Sequence, residues 1–286
     1  MQPPVPSMTT TWRNAPYPSI SPLRPELSVV GNTIIITGAG SGIGRATAIS
    51  FASAGASKTI LIGRHKANLE ETQRLIPCST SVYAVDVKDE HAICRIASEI
   101  GRWDVLILAA GHIPTPGSVK VSSVDEWWSA IETNLKGSLI VTKAFLPTAD
   151  PTHAAIIGYS AAITFPAAMV PGLSAYNISK SAIVKLVEYI AAENPSVFAA
   201  AIHPGVVDTN ILRGAGADPA TLPLDAVELP ANFAVWLTSK EASFLNSRYV
   251  WANWEVDELM ARADEIQSGS LLTGGVLGWP FSSASA

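Results

Sequence analysis

The sequence predicts an α/β protein in which a largely parallel sheet is wound in both directions from its centre and covered by helices on each face. From Asn32 onward, short apolar runs alternate with segments of helical period, which is typical of successive βαβ units. The runs are almost uniformly apolar, as expected of strands buried on both faces. A glycine-rich turn follows the first run and leads into a helix-forming segment.

Seven runs are candidate strands, and the last of them is the weakest. In chain order they are residues 33–37, 58–63, 81–87, 104–110, 153–160, 196–205 and 248–253. Residues 1–30 are rich in proline and predict an arm that lies over the remainder of the chain. No linker divides residues 31–286, so we expect one domain there.

Composition excludes several classes of protein. The 286 residues are 48% hydrophobic and 15% charged, which argues against disorder and suggests that some helices are buried between subunits. A net charge of -5 has the wrong sign for a nucleic-acid partner. Cys78 and Cys94 are too few for a disulfide framework or a metal site and are interpreted as small buried residues, in keeping with a reducing cytoplasm.

No segment of the sequence predicts a membrane partner. The first thirty residues lack the charged and apolar regions of a secretory signal, and their prolines oppose an amphipathic targeting helix. Residues 154–179 are uncharged over a sufficient length to span a bilayer, but prolines and glycines interrupt them. We interpret this stretch as a buried strand and a loop, and we expect a cytoplasmic protein.

The turn after the first strand has the pattern T-G-x-x-x-G-x-G. It contains Thr37, Gly38, Gly42, Ile43 and Gly44. Glycines there allow the backbone to approach a pyrophosphate, whose charge is stabilised by the N–H groups and dipole of the following helix. The sequence therefore predicts a dinucleotide site at this turn.

This pattern resembles the nucleotide loop of the short-chain dehydrogenase/reductase family, and further matches follow in order along almost the whole chain. Residues 12–32 also resemble the leader of fungal members. The resemblance implies a single Rossmann-type doubly wound domain with a mostly parallel seven-stranded sheet flanked by helices. It further implies a homodimer or homotetramer that transfers a hydride to or from NAD(P).

The second strand ends at a basic segment without a carboxylate, where an NAD-specific enzyme presents Asp or Glu to the adenosine ribose. Arg64 can pair with a 2′-phosphate, so we predict NADP rather than NAD; a solvated basic loop is the alternative. By resemblance, Asp86 and Val87 contact the adenine, and Gly111 ends the fourth strand beside the cofactor. Ala109 replaces an asparagine of the family, which removes one hydrogen bond between strands.

Tyr176 and Lys180 are four residues apart in a segment of helical period, so they lie on one helix face. A phenol has a pKa of about 10, and a neighbouring cation and an oxidised nicotinamide both favour the phenolate. The resemblance implies that Tyr176 protonates the carbonyl oxygen during reduction. It also implies that Lys180 lowers the pKa of the tyrosine and binds the nicotinamide ribose.

A hydroxyl at the end of the fifth strand is expected to donate a hydrogen bond to the same oxygen. We favour Ser160, although sixteen residues separate it from Tyr176, more than is usual in the family; Thr164 is the alternative. Asn134 matches the helix asparagine of the family, which supports a water that leads to Lys180.

Two further segments concern the nicotinamide and the substrate. Pro204, Gly205, Val207 and Thr209 resemble the P-G-x-V-x-T turn that orients the carboxamide, whereas His203 is interpreted as a strand-end histidine. The loops after the fourth, fifth and sixth strands supply apolar candidates for the pocket, which are Ile113, Phe165, Met169, Leu173, Ile211 and Leu212.

These features predict an NADP-dependent oxidoreductase that interconverts a ketone and a secondary alcohol on a neutral, largely apolar small molecule. By analogy with fungal members, the substrate belongs to secondary metabolism. Two alternatives remain: a lyase or isomerase that uses the tyrosine for proton transfer without net redox change, and a non-catalytic NADP-binding protein.

Overall fold

The computed structural model describes residues 1–275 and contains a sheet of seven strands that are all parallel, in the order β3-β2-β1-β4-β5-β6-β7. The strands are β1 (Thr33–Thr37), β2 (Lys58–Gly63), β3 (Ser79–Ala84), β4 (Val105–Leu108), β5 (Ala155–Tyr159), β6 (Phe198–His203) and β7 (Tyr249–Trp251). The predicted fold is confirmed, and no antiparallel strand joins the sheet within the described part. The strand order reverses between β1 and β4, and a crevice for ligands forms beyond the carboxyl ends of strands at such a point.

Helices cover both faces of the sheet. They are α1 (Gly42–Ser53), α2 (Lys66–Arg74), α3 (Glu90–Ile100), α4 (Val124–Ala130), α5 (Gly137–Phe145), α6 (Ser174–Glu193), α7 (Asn210–Gly214), α8 (Glu228–Leu237), α9 (Val256–Met260) and α10 (Ala263–Ser268). A π-helical turn over Ile131–Lys136 joins α4 to α5 without a break. Within residues 1–275, no helix combines the length and the apolar character that crossing a bilayer requires.

The central strand β1 pairs with β2 on one side and with β4 on the other. Thr33 is in register with Lys58, and Ile34 with Val105. The three isoleucines of β1 are fully buried because helices pack on both sides of the sheet. This register aligns the carboxyl ends of the strands along one edge, where the glycine-rich turn begins.

The bounds of several strands and the burial of the two cysteines differ from the sequence-based prediction. Strand β3 begins and ends earlier than expected, which places Asp86 and Val87 in the loop after it. Cys78 is half-buried and Cys94 is exposed, so the interpretation of both cysteines as buried residues is wrong. Both are free thiols, and Cys94 is exposed because it lies on the solvent face of α3.

The first thirty residues pack onto the domain and bury apolar side chains of their own. Trp12, Tyr17, Ile20 and Leu27 belong to the same hydrophobic core as the sheet. The Tyr17 hydroxyl donates to the carbonyl oxygen of Trp254 at 3.2 Å and accepts from the backbone N–H of Val256 at 3.0 Å. The arm thus lies against the segment after β7 through both apolar and polar contacts.

Candidate active site

A cleft of about 490 Å³ extends along the carboxyl ends of the strands. It is lined by fifteen of the seventeen residues predicted for the site, namely Gly38, Gly42, Ile43, Gly44, Arg64, Asp86, Val87, Gly111, Ser160, Tyr176, Lys180, Pro204, Gly205, Val207 and Thr209. The remaining two, Thr37 and Asn134, lie behind the lining, where both side chains are buried. The fold therefore brings together segments that are far apart along the chain.

The glycine-rich turn is packed so closely that side chains are excluded at two positions. A Cβ on Gly44 would lie 2.3 Å from the Gly38 carbonyl oxygen, and a Cβ on Gly38 would lie 2.7 Å from the Ala109 oxygen. Gly38 also adopts a φ of +68°, which favours glycine. The turn delivers the N-terminus of α1 to the cleft, with backbone N–H groups that suit a phosphate.

Thr37 links the two central strands. Its Oγ1 accepts hydrogen bonds from the backbone N–H groups of Ala109 and Ala110, both at 3.1 Å, and donates to the Ile107 oxygen at 3.2 Å. Sequence reasoning expected Ala109 to cost one hydrogen bond between strands. The Thr37 hydroxyl therefore joins the end of β4 to β1. It lies behind the residues that line the cleft and stabilises the two strands.

Arg64 and Arg45 lie near the turn, but their environments differ. The Arg45 guanidinium binds the Glu71 carboxylate and the Gly40 oxygen, each at 2.7 Å. The Arg64 side chain is exposed at the cleft, and the described residues provide it with no hydrogen-bond or ion-pair partner. Arg64 is thus available to an anionic ligand, whereas Arg45 is committed to the fold.

The loop after β3 forms another wall of the cleft. The Asp86 carboxylate accepts from the backbone N–H of Lys88 at 3.0 Å, which fixes the loop. Val87 packs so closely against Gly137 that a Cβ there would lie 2.6 Å from Val87 Cγ2. These contacts hold an apolar side chain and a carboxylate next to each other at the rim.

Tyr176 lies in the first turn of α6, and Lys180 follows one turn later. The Lys180 ammonium is 5.8 Å from the centroid of the Tyr176 ring. Burial raises the pKa of Tyr176 to about 12 and lowers the pKa of Lys180 to about 8. Burial therefore keeps the phenol protonated near neutrality, and the lowering of its pKa by Lys180 stays a prediction.

Ser160 and Lys180 connect the end of β5 to α6 by a reciprocal pair of hydrogen bonds. The Lys180 ammonium donates to the Tyr159 carbonyl oxygen at 2.8 Å, and the Ser160 hydroxyl donates to the Lys180 carbonyl oxygen at 2.8 Å. Ser160 lines the cleft, whereas the alternative, Thr164, is exposed outside it. The Ser160 proton must rotate away from the helix to reach a substrate oxygen.

Asn134 lies in the π-helical turn, and its side-chain amide is fully engaged. Its Oδ1 accepts from the His112 backbone N–H at 2.7 Å, while its Nδ2 donates to the His112 oxygen at 2.9 Å and to Ser179 Oγ at 2.8 Å. π-helical turns are frequent at functional sites. Asn134 thus fastens the loop after β4 to the helix that carries Lys180.

The turn after β6 closes the other side of the cleft. Thr209 Oγ1 accepts from the Leu212 N–H at 3.2 Å and caps α7. Its methyl group faces the glycine-rich turn, since a Cβ on Gly42 would lie 3.1 Å from Thr209 Cγ2. On the opposite side, a Cβ on Gly111 would lie 3.7 Å from the Lys180 ammonium.

The substrate end of the cleft is apolar. Five of the six predicted wall residues line it, which are Ile113, Phe165, Leu173, Ile211 and Leu212. Met169 is not among the lining residues, and 61% of its surface is exposed because the short helical turn Ala167–Met169 faces solvent. No Asp, Glu, Lys or Arg beyond Arg64, Asp86 and Lys180 lines the cleft in the described part of the chain.

Sequence reasoning did not place three residues at the site, although His203 does end β6 as interpreted. His203 lines the cleft and packs edge-on against Trp251, with 4.3 Å between ring centroids. Burial lowers the pKa of His203 to about 3, so the imidazole is neutral. Asn14 and Asp225 support the turn after β6 from behind. No local pattern marks these two, because their partners are distant in sequence.

A close-packed glycine cradle at a helix N-terminus, a free guanidinium and a phenol–ammonium pair share this cleft. The cradle and the guanidinium fit a dinucleotide that carries phosphates, and the pair fits proton transfer beside it. The fold and the site together are those of an α/β enzyme that uses a nucleotide cofactor.

Comparison with known proteins identifies the family. The model for short chain dehydrogenases matches residues 32–220. Short chain dehydrogenase mpl6 of Monascus purpureus is 34% identical, over 93% of this chain and 97% of its own. A short chain dehydrogenase/reductase of Claviceps purpurea is 33% identical, over 96% and 95%. The chain belongs to the short-chain dehydrogenase/reductase family, as a fungal-type oxidoreductase acting on CH–OH groups.

Solved structures agree with this assignment. A putative short chain dehydrogenase from Pseudomonas syringae has a TM-score of 0.73 and 26% identity, and it covers 80% of this chain and 97% of its own. A putative NAD(P) dependent gluconate 5-dehydrogenase from Beutenbergia cavernae, solved with bound NADP, has a TM-score of 0.70 and 27% identity over the same shares.

Proposed function

We propose that the protein is an NADP-dependent carbonyl reductase that interconverts a ketone and a secondary alcohol on a neutral, largely apolar substrate. The observation that carries this proposal is the position of Tyr176 and Lys180, one helical turn apart in the cleft that also holds the glycine-rich turn. The unpartnered Arg64 at the same cleft supports NADP over NAD.

Each part of the cofactor has its own proposed contact residues in the cleft. The N–H groups at the start of α1 would hold the pyrophosphate, and Arg64 the 2′-phosphate. Asp86 and Val87 would border the adenine. The turn at residues 204–209 would contact the nicotinamide carboxamide. Bound NADPH supplies a hydride to the carbonyl carbon of the substrate.

The protonation states favour reduction. The Tyr176 phenol retains its proton because burial raises its pKa to about 12, and an acid in that form can protonate the carbonyl oxygen as negative charge develops there. The Lys180 ammonium stabilises the phenolate that remains. The Ser160 hydroxyl, turned from the Lys180 carbonyl, would donate to the same oxygen.

The walls of the cleft support the proposed substrate class. Phe165, Leu173 and Ile211 wall the cleft, and within residues 1–275 its only charged lining residues are those proposed above for the cofactor and for proton transfer, so a charged substrate would lose hydration without compensation. A neutral ketone of secondary metabolism fits these walls. We further propose a cytoplasmic homodimer or homotetramer, on the basis of the family.

The decisive experiment replaces Tyr176 by Phe and uses Tyr189→Phe as its control. Tyr189 lies on the same helix, α6, but is exposed to solvent. We expect Tyr176→Phe to lower kcat for ketone reduction by about 10²–10⁴-fold, the range for loss of a general acid. The dissociation constant of NADPH should stay within about threefold, since the phenol hydroxyl is not a phosphate ligand.

Activity and binding assays of the wild-type protein separate the carbonyl reductase from the two alternative functions. Substrate conversion without loss of the absorbance of reduced nicotinamide indicates a lyase or isomerase. NADPH binding without turnover of any member of a ketone panel indicates a binding protein. Full activity of Tyr176→Phe refutes the proposed role of the tyrosine.

A further inference from the structure

We propose that the N-terminal arm is part of the active-site framework, with Asn14 acting through Asp225 as a positioning residue for the nicotinamide-side turn at residues 204–207. This inference rests on the proposed function, because an effect of Asn14 on catalysis requires the turn at residues 204–207 to contact the nicotinamide. The contacts themselves are features of the protein alone. Neither residue lines the cleft.

Asp225 is the centre of the arrangement. Its Oδ2 accepts from the backbone N–H of Val206 at 2.7 Å. Its Oδ1 accepts from Asn14 Nδ2 at 2.7 Å and from Asn253 Nδ2 at 3.0 Å. The Asp225 side chain is buried, and no ion pair to it forms within residues 1–275. A buried carboxylate without a cation depends on its hydrogen-bond donors, so each of these neutral donors is important for its orientation.

The turn approaches Asp225 too closely for any residue but glycine at position 205. A Cβ on Gly205 would lie 2.3 Å from Asp225 Oδ2, and Gly205 adopts a φ of +85°. The carboxylate thus fills the space behind the turn and directs the Val206 N–H away from the cleft. Pro204 and Val207, on either side, face the cleft.

Asn14 is itself fixed to the domain by its backbone. The Asn14 carbonyl oxygen accepts from the Ala226 N–H at 2.8 Å. One residue earlier, the Arg13 N–H donates to the Asn253 oxygen at 2.8 Å, and the Asn253 side chain donates to the Arg13 oxygen at 2.8 Å. The amide of Asn14 is therefore held at the carboxylate, and the geometry requires the arm to be in place.

The arm also offers a matched control. Ser19 Oγ donates to the Asp257 carboxylate at 2.8 Å, against 2.7 Å for the hydrogen bond of Asn14, but on the exposed surface. Loss of the Ser19 hydroxyl removes one contact between the arm and the domain and does not change the contacts of the turn at residues 204–207. A purely structural role of the arm predicts similar effects of both changes on stability and none on the turn.

The test compares Asn14→Ala, Asn14→Asp and Ser19→Ala in the full chain. Asn14→Asp keeps the size of the side chain but replaces the hydrogen bond to Asp225 by repulsion between two carboxylates, whereas Asn14→Ala only removes the donor and is the milder change. The first readout is amide hydrogen exchange at residues 205–207 without cofactor. We expect at least about fivefold faster exchange in both Asn14 variants and no change in Ser19→Ala.

The second readout is the dissociation constant of NADPH together with kcat and KM for a ketone. We expect the Asn14 variants to lose about five- to thirtyfold in NADPH affinity or kcat, with Asn14→Asp the more affected, while KM for the ketone changes little. Ser19→Ala should match the wild type.

The outcomes are separable. Unchanged exchange at residues 205–207 in both Asn14 variants overturns the proposed linkage. Faster exchange with unchanged NADPH affinity and kcat overturns the positioning role. A wild-type protein that binds no NADPH refutes the proposed function, while the exchange data still decide whether Asn14 holds the turn.

Discussion

The replacement of Arg64 by Asp tests the cofactor assignment most directly. The guanidinium is exposed at the cleft, 27 residues beyond the end of β1 at Thr37 in sequence but beside the glycine-rich turn in space. No described residue pairs with it, so its removal breaks no contact of the fold. A change in cofactor affinity would then report on the cofactor contact itself.

The expected loss of cofactor affinity follows from the strength of a hydrogen bond to a charged group, which is about 1.5–3 kcal/mol. A free-energy change of about 1.4 kcal/mol changes the affinity tenfold. Because Arg64 is exposed, solvent screening places the expected loss for Arg64→Ala near the lower end, about tenfold for NADPH. Arg64→Asp adds repulsion between the carboxylate and the 2′-phosphate, so the loss should approach about a hundredfold. NADH affinity should rise a few-fold, since the carboxylate can accept from the ribose hydroxyls.

The assay is a titration of each protein with NADPH and with NADH, followed by tryptophan fluorescence, at two salt concentrations. Lys66→Ala is the control, because this exposed cation pairs with Glu70 at 3.5 Å and does not line the cleft. The ratio of the two affinities should invert only in Arg64→Asp. An unchanged ratio in that variant refutes the role of Arg64 as the discriminator.

Three further predictions concern the site and the arm. The pKa of Lys180 is lowered to about 8 by burial, so the unfolded chain binds more protons than the native protein between about pH 8 and 10. The difference in unfolding free energy between the wild type and Lys180→Met, measured by chemical denaturation, should therefore rise by up to about 2 kcal/mol from pH 7.5 to 9.5. A difference that does not change with pH contradicts the lowered pKa of Lys180. Gly44→Ala forces a contact of 2.3 Å with a backbone oxygen and should weaken NADPH binding at least about tenfold, whereas Gly269→Ala, with ordinary spacing, should bind normally. Ile20→Ala should lower the unfolding free energy by about 2–5 kcal/mol, but Leu23→Ala, at a side chain that is 77% exposed, by less than about 0.5; equal effects would show that the arm is not part of the core.

Much of the fold was predictable because its signals are local. Each strand is a short apolar run, and each run is buried because helices cover both faces. The sequence overextended several strands by one or two residues at their ends. Strand β6 stops at His203, one residue before Pro204, which cannot donate to the ladder.

The environment of Tyr176 could not be predicted from its spacing to Lys180 alone. Spacing places Lys180 on the same helix face, and a cation lowers the pKa of a phenol. Spacing does not reveal how deeply the phenol is buried. In the structure, burial raises the pKa of Tyr176 to about 12.

The sequence alone determined the order of strands and helices, the position of the glycine-rich turn and the one-turn separation of Tyr176 from Lys180, because each depends on neighbours along the chain. Tertiary structure alone decided which groups the polar side chains meet. The Ser160 hydroxyl binds a helix carbonyl, and Asn14 reaches Asp225 across 211 residues of sequence. Such contacts depend on how strands and loops converge in space, and no periodicity or spacing along the chain encodes that convergence.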